Sequence, residues 1–337
     1  MSKTEPEISC ILCHHTGSLV YKAVESIKNS SGVIFEIIIM TSDTDLAIEG
    51  IPDCSVNYTE AMPAEKRNIG VSLAKAPLIA FFDDDVEIDP TCLHHFKLAL
   101  EQDKEIGMVY GKLWNMERRY RFDEAGGFMT NTGFIWSRAG QNDIDSGQYD
   151  EMCYVLAGKS ASCMVKKDVF NKAGGFDESF EILGEETDLS WRIWLSGYTN
   201  VFIPQATGYH AFNTKFKPPQ QYYTSKRVQF NGCRNYITML LKNLGRRHLW
   251  IVPIHAGIWF SAGLVMIITG KANQGLNILG GLWYVVKNLK DIYRKRVRIQ
   301  SKRKIDESNL WSYIHSKTPR GYYLQRFCRY LRIGLHG

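Results

Sequence analysis

Glycine-rich phosphate loops are missing from this chain of 337 residues. No G-x-G-x-x-G follows the first apolar run, and no G-x-x-x-x-G-K-[ST] occurs anywhere, which weighs against dinucleotide oxidoreductases and P-loop enzymes. Cysteine is scarce as well: eight residues are too few for a disulfide scaffold. No N-terminal stretch reads as a basic, apolar and small-residue leader, so the expected compartment is reducing and cytosol-facing. The one close cysteine pair, Cys10 and Cys13, lies in a single apolar run. Residues three apart point to opposite faces of a strand, so no metal or redox role is expected of that pair. With 45% apolar and 23% charged residues the chain is neither disordered nor polytopic, and its length suits a large α/β domain with an appendage.

Charge is also absent from most of the chain as a net quantity. The formal charge is +6, yet residues 287–304 alone hold nine Lys/Arg against Asp291, so the remainder is net negative. This basic run follows residues 249–269, an uncharged stretch long enough to cross a bilayer core, and a shorter apolar piece at 275–286. A single crossing would export the positive tail, against the cytoplasmic preference of Lys/Arg. A re-entrant or interfacial segment on the cytoplasmic face of a membrane, next to anionic lipid, is therefore expected, with a buried core helix as the alternative. Nucleic acid is not an expected partner, because the tail lacks aromatic interleaving and any recognition motif.

The first hundred residues alternate strand and helix. Residues 8–13, 33–40, 56–58 and 78–82 read as strands; the stripe Leu19, Val20, Ala23, Val24 and Ile27, and residues 64–75, read as helices. Asp89 is expected to cap a further helix, with Pro90 at its first position. This rhythm predicts a doubly wound, mostly parallel sheet whose ligands gather at the carboxyl ends of the strands. His14 and His15 fall at the end of the first strand, as a donor contact or a solvated turn.

At the end of the 78–82 strand stand Asp83, Asp84 and Asp85. Three adjacent carboxylates repel one another, and a divalent cation removes the objection. Oxygen ligands of this kind suit Mg²⁺ or Mn²⁺ bridged to substrate phosphates; the alternative is a solvated acidic turn. A second acidic cluster, Glu185, Glu186 and Asp188, follows Gly174-Gly175-Phe176-Asp177-Glu178 and opens a predicted helix, where carboxylates also gain from the helix dipole. Trp114, Trp136, Trp191 and Trp194 read mainly as core or rim packing, with sugar stacking the other use.

The spaced motifs FFDDDVEIDP, GGFDESFEILGEETDLSWRIWLSGY and Pro204-x-Ala206-x-x-Tyr209-His210 resemble the inverting glycosyltransferase family two, with its GT-A fold, over roughly residues 6–245. The resemblance implies a donor half at about 6–115, an acceptor half at about 116–245, and a membrane-associating appendage of apolar helices and basic tail from 246 to 337. It implies that Asp85 holds the metal, that Asp83 and Asp84 reach the nucleotide or the cation, and that Arg67-Asn68 contacts the donor. His210 would help bind metal or diphosphate. Glu185-Glu186 falls on a Glu-Asp pair whose second member is the general base. Within the family, Arg234-Asn235-Tyr236 and the apolar, basic ending most resemble rhamnosyltransferase-like enzymes of cell-surface glycan synthesis.

Two positions depart from the family pattern. Glu186 stands where Asp is usual, which makes Asp188 a rival base. Strand two runs into Thr41, with Asp43 beyond it, where an Asp normally meets the nucleotide base. Q-x-x-R-W is missing, so transfer of one sugar is expected rather than polymerisation. The implied partners are a nucleoside-diphosphate sugar donor, a saccharide or lipid-linked saccharide acceptor, and a membrane surface. The rival classes are a sugar nucleotidyltransferase and a non-catalytic, membrane-docked binding protein.

Overall fold

The computed structural model describes residues 5–139, 143–211, 225–316 and 321–323. The last stretch of the expected appendage, 324–337, lies outside the described residues. The chain divides into two compact units. The first comprises Met1–Phe128, Ser137–Glu181 and Glu185–Phe212; the second comprises Met129–Trp136, Ile182–Gly184 and Asn213–Gly337.

In chain order the elements are β1 (Ile8–His14), α1 (Leu19–Lys28), β2 (Phe35–Thr41), β3 (Cys54–Tyr58), α2 (Pro63–Leu73), β4 (Leu78–Asp83), β5 (Val86–Ile88) and α3 (Cys92–Gln102). Then come β6 (Ile106–Asn115), β7 (Phe122–Glu124), β8 (Gly127–Met129), β9 (Ile135–Ser137), β10 (Cys153–Tyr154), β11 (Ser162–Lys166), α4 (Lys167–Ala173), α5 (Glu185–Leu195) and β12 (Thr199–His210). The main sheet runs β10-β12-β6-β11-β4-β1-β2-β3, with β5 added to β12 and β7 to β6.

The fold is α/β, with helices on both faces of this sheet. Ile8, Cys10 and Leu12 pack with Val20, Val24 and Phe96 of α1 and α3, while Ile11 packs in a second cluster with Val71, Val169, Leu189 and Ile193 of α2, α4 and α5. A strand buried on both faces reads as an unbroken apolar run, as β1 does. The βα rhythm accounts for the four parallel strands β3-β2-β1-β4. Beyond them the sheet is mixed, because β11 runs antiparallel to both β4 and β6. The helix expected at Asp89 begins later, at Cys92. The Asp89 carboxylate accepts hydrogen bonds from the Thr91 N–H and Oγ1 at 2.9 and 2.6 Å, which makes a local turn before the helix.

The second unit is helical: α6 (Lys226–Asn243), a 3₁₀ turn (Arg246–His248), α7 (Ile251–Ile268), α8 (Ala272–Lys287), α9 (Leu289–Ser301) and α10 (Glu307–Ile314). α7 and α8 form a hairpin whose backbones meet at Gly263 and Gly275; a Cβ at Gly275 would lie 2.4 Å from the Gly263 carbonyl oxygen. Arg296 of the basic run caps α6, donating to the Leu241 and Leu244 carbonyls at 2.7 and 2.6 Å, where the helix dipole favours a cation. By length and composition α7 with its preceding turn could cross a membrane, and 28% of that window is buried.

Candidate active site

Strand order places the site. In the order β3-β2-β1-β4 the winding reverses between β1 and β4, the position where open α/β sheets bind ligands beyond the carboxyl ends of their strands. Register sets Cys13 opposite Asp83 and His14 opposite Thr41, so the ends of β1, β2 and β4 lie side by side. His14 reaches across the reversal: its Nδ1 is 2.7 Å from Asp84 Oδ2. Its Nε2 lies 3.7 Å from Asp43 Oδ2, beyond hydrogen-bond reach. Thr41 is buried at the end of β2, where its Oγ1 accepts from the Asp43 N–H at 2.9 Å. His15 is exposed and pairs with Ser42.

The three aspartates point to three different partners. Asp83 meets Arg67, with Nη2 to Oδ1 at 2.9 Å. Burial pushes the Asp83 carboxyl up, against the opposing pull of Arg67 and His210. Asp84 meets His14, and Asp85 is carried to His210 by backbone pairing. β5 runs antiparallel to the end of β12 with Val86 opposite His210, and the Ala211 N–H donates to the Asp85 carbonyl at 3.0 Å. Asp85 Oδ1 thereby lies 3.2 Å from His210 Nε2. One ligand atom each from Asp83, Asp85 and His210 falls within 4.8 Å of the others, a donor set of two carboxylates and an imidazole that could hold a divalent cation.

Arg67 joins this strand end to the second acidic cluster. Its Nη1 donates to Glu185 Oε1 at 3.2 Å while Nη2 holds Asp83, so one buried guanidinium spans both. Its pKa rises: burial pulls it down, and the surrounding acids, Asp83 and Glu185 among them, more than offset that. Glu186, half-buried in the same helical turn, has a carboxyl pKa raised well above the ordinary range by desolvation and then by repulsion from Glu185. Asp188 is completely buried, and its Oδ2 accepts from Arg192 Nε at 2.9 Å.

Asn68 does not stand free as a donor contact. Its Nδ2 donates to the Phe176 carbonyl at 3.0 Å and to Glu178 at 2.8 Å, and its Oδ1 accepts from the Phe176 N–H at 2.9 Å. It pins the Gly174-Gly175 turn, where Gly175 has φ +67° and a Cβ would meet Asn68 Oδ1 at 2.9 Å. That combination requires glycine.

Three further polar residues close the site, and none carries a motif signal. Lys66 is buried and donates to the His14 carbonyl at 2.8 Å and Ser42 Oγ at 3.1 Å; adjacency to Arg67 on a helix facing the strand ends was its only trace. Asp123 and Lys159 pair at 2.6 Å beside His210. Trp191 and Trp194 are core, and Trp114 stacks on Tyr209 with ring centroids 5.6 Å apart. Among the described residues, His14 Nε2, Arg67 Nε and Glu185 Oε2 are buried without a hydrogen-bond partner. Such atoms are ones that a bound polar ligand or ion would satisfy.

Residues 78–287, well over half of the chain, match the family described as glycosyl transferase family group 2. The chain belongs to this family. Among solved structures, this family-two glycosyltransferase is similar to S. aureus TarS 1-349 in complex with UDP-GlcNAc, at TM-score 0.58 and 12% identity over 87% of this chain and 89% of that one. It is also similar to GalNAc-T7 with UDP, GalNAc and Mn²⁺, at TM-score 0.53 and 13% identity. That match covers 86% of this chain and 58% of GalNAc-T7, so the chain spans less than two thirds of that relative. The mannosyltransferase PcManGT from Pyrobaculum calidifontis, in complex with GDP-Man and Mn²⁺, gives TM-score 0.50 and 11% identity over 86% of this chain and 88% of that one. At such identities the likeness is one of fold, and the fold is GT-A. A comparison with curated protein sequences gives no match.

Proposed function

We propose that this glycosyltransferase is metal-dependent, inverting and non-processive. It moves one sugar from a nucleoside-diphosphate donor to a hydroxyl of a saccharide or lipid-linked saccharide in cell-surface glycan synthesis, in the manner of the rhamnosyltransferase-like subgroup. The observation that carries the reading is the bridge made by Arg67, which sets a metal-competent strand end against the helical turn of Glu186. Relatives of the same fold, named above, bind UDP-GlcNAc, GDP-Man and Mn²⁺, which supports a nucleotide sugar and Mg²⁺ or Mn²⁺ here.

Asp83, Asp85 and His210 would hold the cation, whose charge neutralises the departing diphosphate as a Lewis acid. His14, Thr41 and Asp84 line the donor side. Glu186 takes the proton of the acceptor hydroxyl while that oxygen bonds to the anomeric carbon. The bond from that carbon to the diphosphate oxygen breaks on the opposite face, so the anomeric configuration inverts. Glu186 is preferred over Asp188 because Asp188 is fully buried in its ion pair with Arg192.

The proposal extends to the cytoplasmic face of a membrane. α7 presents Ile254, Phe260, Leu264 and Ile268 to solvent. Trp283, Val286, Leu289, Tyr293 and Val297 form a second exposed stripe along α8 and α9 at steps of three and four, flanked by exposed Lys290, Arg294 and Arg298. An apolar stripe edged with cations fits an anionic lipid interface.

Two experiments test these readings. Incubation with a panel of nucleotide sugars, Mn²⁺ and saccharide acceptors should give a product of inverted anomeric configuration. Retained configuration, or donor binding without turnover on any acceptor, contradicts the catalytic reading. Flotation of the full chain with anionic vesicles should persist at high salt, since apolar insertion is not screened. A soluble monomer that ignores vesicles removes the membrane part alone.

A further inference from the structure

β7 pairs antiparallel with β6 through Leu113 opposite Glu124 and Trp114 opposite Phe122. One step along β6 therefore corresponds to two along β7, and Asp123 is the extra residue of a bulge. Bulges beside active sites re-aim a side chain. Here the re-aimed group is a carboxylate with 3% side-chain exposure, directed at the imidazole of His210. Asp123 Oδ2 lies 2.7 Å from His210 Nδ1 and 2.6 Å from Lys159 Nζ, and Lys159 also reaches the Asp123 carbonyl at 3.3 Å. The other ring nitrogen, Nε2, faces Asp85.

An ionised carboxylate only accepts hydrogen bonds, so the contact to Nδ1 requires a proton there. Lys159 Nζ, 2.6 Å from the same carboxylate, pairs its charge inside the protein. With the Nδ1 proton donated to Asp123, Nε2 is the ring nitrogen left for a cation, on the side where Asp83 and Asp85 lie.

We propose that Asp123, aimed by the β7 bulge and anchored by Lys159, is a positioning residue that fixes the tautomer and ring orientation of His210 and so presents Nε2 to the divalent cation. This rests on the reading of Asp83, Asp85 and His210 as the cation site. Partners of this kind behind a metal-ligating histidine commonly contribute about 10- to 100-fold to metal affinity.

The test is titration of the full chain with Mn²⁺ alone, following the electron paramagnetic resonance signal of free Mn²⁺. The wild type should bind; if it does not, the cation site itself is misread. Asp123→Asn keeps the side-chain shape and should weaken binding by about 10- to 100-fold. Unchanged affinity overturns the proposal and leaves the cation site standing. Asp123→Asn combined with Lys159→Met removes both buried charges, and should bind as weakly as Asp123→Asn alone. Wild-type affinity in that double variant would mean that Asp123 merely neutralises Lys159. In a His210→Ala background, Asp123→Asn should change affinity no further; an undiminished effect there overturns the proposal. A fold-independent arm uses the wild type labelled with ¹⁵N-histidine and loaded with Mg²⁺. The His210 resonances should report a protonated Nδ1 and an unprotonated Nε2, and the opposite tautomer rejects the role.

Discussion

Asp83, Asp84 and Asp85 occupy consecutive positions at a strand end, while Glu185, Glu186 and Asp188 share one turn of a helix. Each aspartate of the first cluster finds its own partner: Arg67, His14 and His210 respectively. In the second, Glu185 takes Arg67 and Asp188 takes Arg192, but Glu186 makes no salt bridge among the described residues. The difference comes from backbone geometry. Leaving a strand through a tight turn sends successive side chains in different directions. In the first turn of α5, Glu186 is instead left against Glu185, another carboxyl. On the proposed reading the strand-end cluster binds positive charge, and Glu186 of the helical cluster accepts a proton once it is itself deprotonated.

The largest effect should come from Glu186, the carboxyl without a cationic partner among the described residues. Glu186→Gln keeps size and hydrogen bonding, so turnover should fall by roughly two to four orders of magnitude with donor affinity intact. Equal loss of donor affinity would put Glu186 with the binding cluster instead. Asp85→Ala should lower transfer by at least about a hundredfold, because it removes charge from the binding cluster. Here donor affinity should fall too, and addition of EDTA to the wild type should mimic the substitution.

Asp188→Asn should act on stability, since breaking a buried ion pair from one side costs about 3–5 kcal/mol. Chemical denaturation should show the loss, while turnover per folded molecule stays within a few-fold of the wild type. A folded Asp188→Asn protein without turnover would transfer the role of base to Asp188. The smallest effect is on pH. A carboxyl raised by burial and by Glu185 becomes a base only as pH rises through its elevated pKa. The acidic limb of kcat/KM should therefore lie above the ordinary carboxylate value of about 4.3 and disappear in Glu186→Gln. A limb at the ordinary value would mean that the site admits more water than the structure implies.

Both clusters were legible as residue types at a strand end and a helix start, and α5 begins at Glu185 as its periodicity predicts. The charge state of Glu186 was not. The dipole argument expects an ionised carboxylate, whereas desolvation and Glu185, which depend on tertiary packing, drive it the other way. The resemblance gave Arg67-Asn68 a donor contact; that Asn68 also pins the Gly174-Gly175 turn depends on a contact more than a hundred residues away. The antiparallel insertion of β11 escaped for a similar reason, since an apolar run does not carry its direction. Asp123 and Lys159 gave no signal because a bulge brings them to His210. Apolar periodicity fared best, with the stripe of α1 and the extents of β1 and β4 close to those expected.

Calorimetric titration of UDP and of GDP into the full chain, with Mn²⁺ and then with EDTA, addresses the contrast between the clusters most directly. The account predicts that at least one diphosphate binds with Mn²⁺, that binding collapses in EDTA and in Asp85→Ala, and that it survives in Glu186→Gln. Diphosphate binding of equal strength in EDTA, or its loss in Glu186→Gln with Asp85→Ala unaffected, would contradict it.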